Sequence, residues 1–122
     1  MPCDCELDLS RRWVKVRASG LLTYAEVMTA RLKFTGHPHF MPDFFQLYDV
    51  REVTRASLTA SEVIELAKAP IFAPTARRAC VTTNGETYGI ARMFQIYRSV
   101  NDGKEQIRLF RSIEAAEAWL DG

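Results

Sequence analysis

The stretch that decides the fold is Ile107-Arg108-Leu109-Phe110-Arg111-Ser112-Ile113-Glu114-Ala115-Ala116-Glu117-Ala118-Trp119-Leu120-Asp121-Gly122. Ile107, Leu109 and Phe110 read as a short apolar strand. Ser112 offers an oxygen to the free N–H groups that open a helix, and Glu114 sets a negative charge at the positive end of its dipole. A helix over 113–120 puts Ile113, Ala116, Trp119 and Leu120 on one side. A strand that passes through one connecting residue into a capped helix closing on a Trp is a way to finish an α/β sheet.

Working back from this ending, Asn101-Asp102-Gly103 reads as a turn and residues 86–99 as a helix. The polar stripe of that helix is narrow: Arg92, Gln95, Arg98 and Ser99. Tyr88, Ile90, Ala91, Met93, Phe94, Ile96 and Tyr97 fill the rest, an apolar arc wider than one sheet face requires. Asn84-Gly85 marks a turn, and residues 78–82 read as a strand. Thr59-Ala60-Ser61-Glu62 fits a capping box ahead of a helix with Val63, Ile64, Leu66 and Ala67 on one face. Pro70 and Pro74 prevent its continuation. Residues 44–48 are nearly continuously apolar, as in a strand covered on both faces. The mixed segment 50–58 reads as a loop. Thr23-Tyr24-Ala25-Glu26 is another capping box, opening a helix that runs to about Thr35 and stops at Gly36. Residues 5–9 and 13–18 alternate and pair as a hairpin around Ser10-Arg11-Arg12, with Gly20 breaking the second strand. The predicted order is ββαβαβαβα: one α/β domain over residues 1–122, with four helices and a single five-stranded mixed, mostly parallel sheet.

Composition narrows the function. Sixteen basic and fifteen acidic residues nearly cancel, and the densest basic spots are the pairs Arg11-Arg12 and Arg77-Arg78. A basic face for nucleic acid is not supplied. The acidic start Cys3-Asp4-Cys5-Glu6 has no apolar run behind it, so no signal peptide and no membrane span are expected. Three Cys, an odd number in a chain able to bury its own core, point to a reducing cytoplasm.

Four segments carry a family resemblance: Gly20-Leu21-Leu22-Thr23, residues 44–49, Ala91-Arg92-Met93-Phe94, and Phe110-Arg111-Ser112-Ile113-Glu114-Ala115-Ala116-Glu117-Ala118-Trp119-Leu120. Their order over nearly the whole chain resembles SpoIIAA-like bacterial proteins. These are related to the STAS domain of anti-sigma-factor antagonists and more distantly to the SEC14-type lipid-binding fold. The resemblance implies an α/β fold with a central mixed sheet and a non-catalytic role in regulation or protein interaction. STAS antagonists carry an Asp-Ser-Ser-Gly-like phosphorylation motif between the third strand and the second helix. Here the region reads Asp49-Val50-Arg51-Glu52-Val53-Thr54-Arg55-Ala56-Ser57-Leu58-Thr59, with no Ser-Gly pair. The phosphoswitch is therefore not carried over.

Two regions remain as candidate sites. Ser57 and Thr59 stand at a helix start with Arg51 and Arg55 near in sequence, a setting for an anion or an added phosphate; the plain alternative is a capping Thr and a loop Ser. On the wide helix, Ile90, Met93, Phe94 and Tyr97 would serve as a homodimer contact, as a surface for a regulatory protein partner, or as one wall of a pocket for a small apolar ligand. The plain alternative is burial under neighbouring helices and the 36–42 loop. Cys3-x-Cys5 and His37-x-His39 are spaced too closely for a usual zinc site, and no metal is expected. Cys80 sits mid-strand, where a thiol is normally inert, and no catalytic residue is assigned. Six scattered glycines form no phosphate loop, and no cofactor is expected. The leading expectation is a regulatory or interaction module, with a carrier or sensor of a small apolar or anionic ligand as the alternative.

Overall fold

The computed structural model describes residues 3–101 and 104–122. Its elements run β1 (Cys3–Asp8), β2 (Trp13–Thr23), α1 (Tyr24–Thr35), β3 (Phe45–Ser57), α2 (Ala60–Lys68), β4 (Arg77–Val81), α3 (Gly85–Val100), β5 (Gln106–Phe110) and α4 (Ile113–Asp121). The strands form one five-stranded sheet in chain order, β1 antiparallel to β2 and every other neighbour parallel. The α/β class and the order ββαβαβαβα are as the sequence implies. Asp102 and Gly103 of the expected turn lie outside the described residues.

Stepping through parallel strands in one direction with right-handed crossovers places α1, α2 and α3 on a single face. α1 lies on β1 and β2, and α2 packs on α3, which lies over β3 and β5. α4 alone covers the other face, over β3, β4 and β5. There Ala116 and Leu120 meet Trp13, Leu47, Ala79 and Val81, with Phe110 and Trp119 at the edge. Under α1, Val14, Val16, Ala30, Phe34 and Phe44 form another cluster.

Two segments differ from the sequence reading. Gly20 does not end the second strand. It sits at φ +65 beside a shift of register, and β2 continues to Thr23. Segment 50–58 is not a loop up to Ser57: β3 runs on beside β2, with Gly20 against Val53 and Thr23 against Ser57. The bulge explains both errors. An extra residue in the ladder changes which side chains face inward. Val50 and Val53 are buried and Ala56 is half-buried, a spacing of three that hides the usual alternation.

All three capping residues cap as expected, but only one of the two expected capping boxes is complete. Thr59 Oγ1 accepts from the Glu62 N–H at 3.1 Å, and Glu62 Oε1 accepts from the Thr59 N–H at 2.9 Å, a complete capping box. Thr23 accepts from the Glu26 N–H at 3.2 Å, without a return bond from the Glu26 side chain. Ser112 accepts from the Ala115 N–H at 3.1 Å and starts α4.

Candidate functional site

The helices on the three-helix face do not close over the middle of the sheet. Between α1 on one side and the α2–α3 pair on the other lies a cavity of about 120 Å³ over β3, β4 and β5. Strand alternation decides what faces it. Gln46 and Tyr48 of β3 stand opposite Arg78 and Cys80 of β4, which stand opposite Ile107 and Leu109 of β5. All six line the cavity. α1 contributes Val27, Ala30, Arg31 and Phe34; α2 contributes Val63 and Leu66; α3 contributes Thr87, Ile90, Ala91 and Phe94. The wall is mostly apolar.

Polar groups gather on one part of it. Arg78 donates from Nε to Gln46 Oε1 at 2.9 Å and from Nη1 to Glu105 Oε2 at 3.1 Å. Its guanidinium lies 4.4 Å from the Phe72 ring centroid and 5.2 Å from that of Phe94. Arg98 donates to the same Glu105 oxygen at 3.0 Å and to the Ala67 carbonyl at 2.9 Å. Two buried guanidinium groups thus share one buried carboxylate. Burial pushes the Glu105 carboxyl up, but the hydrogen bond from Arg98 and the charge of Arg78 outweigh it, and the carboxyl ends below its ordinary range. Arg78 moves the unfavourable way: burial, together with Arg31 and Arg98, brings it down to about 10 despite Glu105. Both stay ionised at neutral pH, so the ion pair stands although both pKa values move down, which favours the charged carboxylate and disfavours the charged guanidinium.

Arg31 completes the set. Burial lowers its pKa, Tyr48 and Tyr24 act against that, and Arg98 adds to it; no carboxylate is among the groups acting on it. Its guanidinium forms neither a hydrogen bond nor an ion pair among the described residues, while its carbonyl accepts from Thr35 Oγ1 at 2.8 Å. Tyr48 is hydrogen-bonded with the Cys3 thiol, and burial pushes its hydroxyl well up. The Cys80 thiol is pushed up to about 12, first by burial and then by Asp49. The accessible surface that Tyr48 and Cys80 retain opens on the cavity.

The residues singled out in the sequence are distributed as follows. Ile90 and Phe94 line the cavity, while Met93 and Tyr97 are half-buried on α3 without lining it. The polar stripe expected on α3 is split: Arg92 and Ser99 are exposed, but Gln95 and Arg98 turn inward. Arg98 is 3 % exposed, and Gln95 donates to the Ile107 carbonyl at 2.6 Å. Glu105 is the reason: a buried carboxylate needs the guanidinium turned toward it. Tyr88, Ile96 and Val100 are exposed instead.

Arg51 is separated from Arg55, Ser57 and Thr59. It grips Asp49 through two side-chain bonds of 2.9 Å on the α4 face. Burial raises the Asp49 carboxyl, but the Arg51 bonds and charge bring it below the ordinary range. Arg55, Ser57 and Thr59 border a shallow surface groove together with Glu62 and Glu86. Glu86 Oε1 accepts from the Ala56 N–H at 2.7 Å, and Thr59 is occupied as a cap. Two carboxylates share that groove with one guanidinium.

Cys3 and Cys5 pack against the core under α1, and His37 Nδ1 accepts from the His39 N–H at 3.1 Å. No cluster of three or more His, Cys, Asp or Glu suited to a metal ion occurs among the described residues. Among the described residues, no helix is long and apolar enough to cross a membrane.

Sequence reading missed Arg31, Gln46, Tyr48, Arg78, Arg98 and Glu105 as a group. A signal was present in α1: Val27, Ala30, Arg31 and Phe34 follow the i, i+3, i+4, i+7 stripe of a buried face, with a cation inside it. Gln46, inside an apolar strand, was another.

No protein-family model matches this chain, and no curated protein matches it. Among solved structures it is similar to an uncharacterized protein of the DUF3478 family with a SpoIIAA-like fold, from Shewanella loihica PV-4. The identity is 20%, covering 97% of this chain and 91% of that one, with a TM-score of 0.61. The chain has a SpoIIAA-like fold.

Proposed function

We propose that this protein is a non-catalytic binding module that carries or senses one small, largely apolar molecule in the cavity between α1 and α3. The observation that carries the reading is the cavity itself, walled by residues from three helices and four strands. Interiors normally pack to near-crystal density, so an apolar space of this size across the middle of a sheet costs stability unless something fills it. Its volume of about 120 Å³ is close to the roughly 150 Å³ cavity that accepts benzene, and below the several hundred Å³ of drug-sized sites. It suits one ring or a short alkyl chain. Binding without turnover is supported by the Cys80 thiol, held protonated at neutral pH, and by His37 and His39 lying outside the cavity lining.

The test is a titration of the full chain with 1-hexanol, followed by amide shifts in NMR. Shifts centred on Tyr48, Ala91 and Phe94, abolished by the cavity-filling Ala91→Leu, are the expected result. Unmoved cavity amides at the solubility limit of the alcohol would sink the reading.

A second reading, a regulatory module acting through a protein partner or a second copy, is favoured by the outer arc of α3. Tyr88, Ile96 and Val100 are 47%, 46% and 74% exposed there. Mass in solution against concentration tests the homodimer. An Ile96→Lys variant that leaves a concentration-dependent dimer unchanged would remove this arc from it.

A further inference from the structure

We infer that the cavity is built for a small monocarboxylate, with Arg31 binding its carboxylate and the α3 wall of Ile90, Ala91 and Phe94 holding its apolar body. This rests on the binding reading above and adds the charge and chemical class of the ligand.

The charge inventory leads to it. Arg31, Arg78 and Arg98 act on one another around the cavity, and Glu105 is the carboxylate bonded to two of them. Asp49, which is felt by Cys80, is turned to the other face and taken by Arg51, with Arg17 at 4.0 Å. Positive charge is therefore in excess within a partly desolvated, apolar-walled space, and Arg31 is its unpaired member. The half-buried Arg31 guanidinium keeps some accessible surface but gives up part of its water without gaining a protein acceptor, and a bound carboxylate would offset that loss. The planar guanidinium fork also matches a carboxylate in two parallel hydrogen bonds. The apolar remainder of the wall specifies the rest of the ligand. A bare inorganic anion would leave that wall dry and unfilled, and a neutral alcohol would offer Arg31 one acceptor oxygen but no countercharge. With about 120 Å³ available, the body is a single ring or a chain of a few carbons.

The test compares three probes on the full chain by calorimetry and NMR: hexanoate, 1-hexanol and inorganic phosphate. Hexanoate is expected to bind about 10- to 100-fold more tightly than 1-hexanol, the range of a charged hydrogen-bonded contact. Phosphate is expected not to shift the cavity amides. Arg31→Gln is expected to bring hexanoate down to the affinity of 1-hexanol and leave 1-hexanol unchanged, whereas Arg31→Lys keeps part of the preference. Binding of 1-hexanol in Arg31→Gln also shows that the variant is folded, and the Lys variant carries the comparison if the Gln variant is not.

Equal affinity of hexanoate and 1-hexanol for the wild type overturns the carboxylate inference while the cavity reading survives. So does an undiminished preference for hexanoate in Arg31→Gln, or phosphate competing with hexanoate at equal strength. Failure of both organic probes to bind the wild type fails the cavity reading itself.

Discussion

The two faces of the sheet are solved in opposite ways. The α4 face has a single helix and packs solidly: Ala116 and Leu120 sit on Leu47, Ala79 and Val81, and its buried Asp49 is paired with Arg51. The opposite face has three helices and yet contains a cavity, a Gln and a Tyr on β3, and two buried arginines on one glutamate. The same strands supply both. Leu47 and Ala79 point one way, while Gln46, Tyr48, Arg78 and Cys80 point the other. More covering helices did not yield a drier or tighter core. What each strand places on a face, and how far apart the crossovers set the helices above it, decides whether that face becomes filler or site.

The largest test of this contrast is Glu105. Glu105→Ala strands Arg78 and Arg98 without their shared carboxylate, and losing one partner of a buried ion pair costs about 3–5 kcal/mol. Urea unfolding at pH 7 measures it. A cost no greater than that of a surface substitution would mean that the three-helix face is held by packing alone, as the Ala116–Leu120 core is. The milder Glu105→Gln adds a pH signature. The Glu105 pKa is depressed in the folded state, so its contribution is complete above the ordinary Glu value of 4.5 and is lost as pH falls through the lower folded value. The stability gap between wild type and Glu105→Gln therefore closes in acid. A gap that persists unchanged well below that value would detach Glu105 from the acid limb.

A matched pair of enlargements comes next in size. Ala116 is fully buried in the α4 core, and Ala91 lines the cavity. Ala116→Leu overpacks and costs about 1–3 kcal/mol. Ala91→Leu has room to enter and gains up to about 1–2 kcal/mol, as cavity filling commonly does. The pair is expected to differ in sign, which thermal unfolding reads directly. Two costs of the same size would erase the distinction between a packed face and an open one.

The ending of the chain was the most legible part because every local cue there agrees with the tertiary result. Ser112 caps, Ala116 and Leu120 face in, and Trp119 closes over Phe110. The middle of β3 was illegible for a physical reason. Its inward residues follow the bulge opposite Gly20 rather than the alternation of a regular strand, so Arg51, Glu52, Thr54 and Arg55 read as loop. The α3 helix was half legible. Its apolar arc left core, interface and pocket wall open; Ile90 and Phe94 line the cavity, while Met93 and Tyr97 do not. Arg98 was assigned to water because nothing local records that Glu105, seven residues on, is buried and waiting for it. The polar site as a whole joins α1, β3, β4, α3 and the residue before β5. Only the register of the sheet brings those together.

The smallest expected effect isolates the roof of the cavity from its contents. Gly89 lies inside α3, and a Cβ added there meets nothing within 4 Å. An Ala at that position removes backbone freedom from the unfolded chain without adding a tertiary contact, so Gly89→Ala is expected to stabilise by about 0.5–1 kcal/mol. The α4 helix has no internal glycine to offer the same gain. If the cavity is a fixed feature of the fold, the variant melts higher and binds 1-hexanol with unchanged affinity. If opening of α3 admits the ligand, the affinity stays the same while association and dissociation slow together, since both pass through the same less populated open state. A change in affinity itself would show that α3 moves between the free and bound forms. In that case the contrast between the two faces would be one of mobility as well as packing.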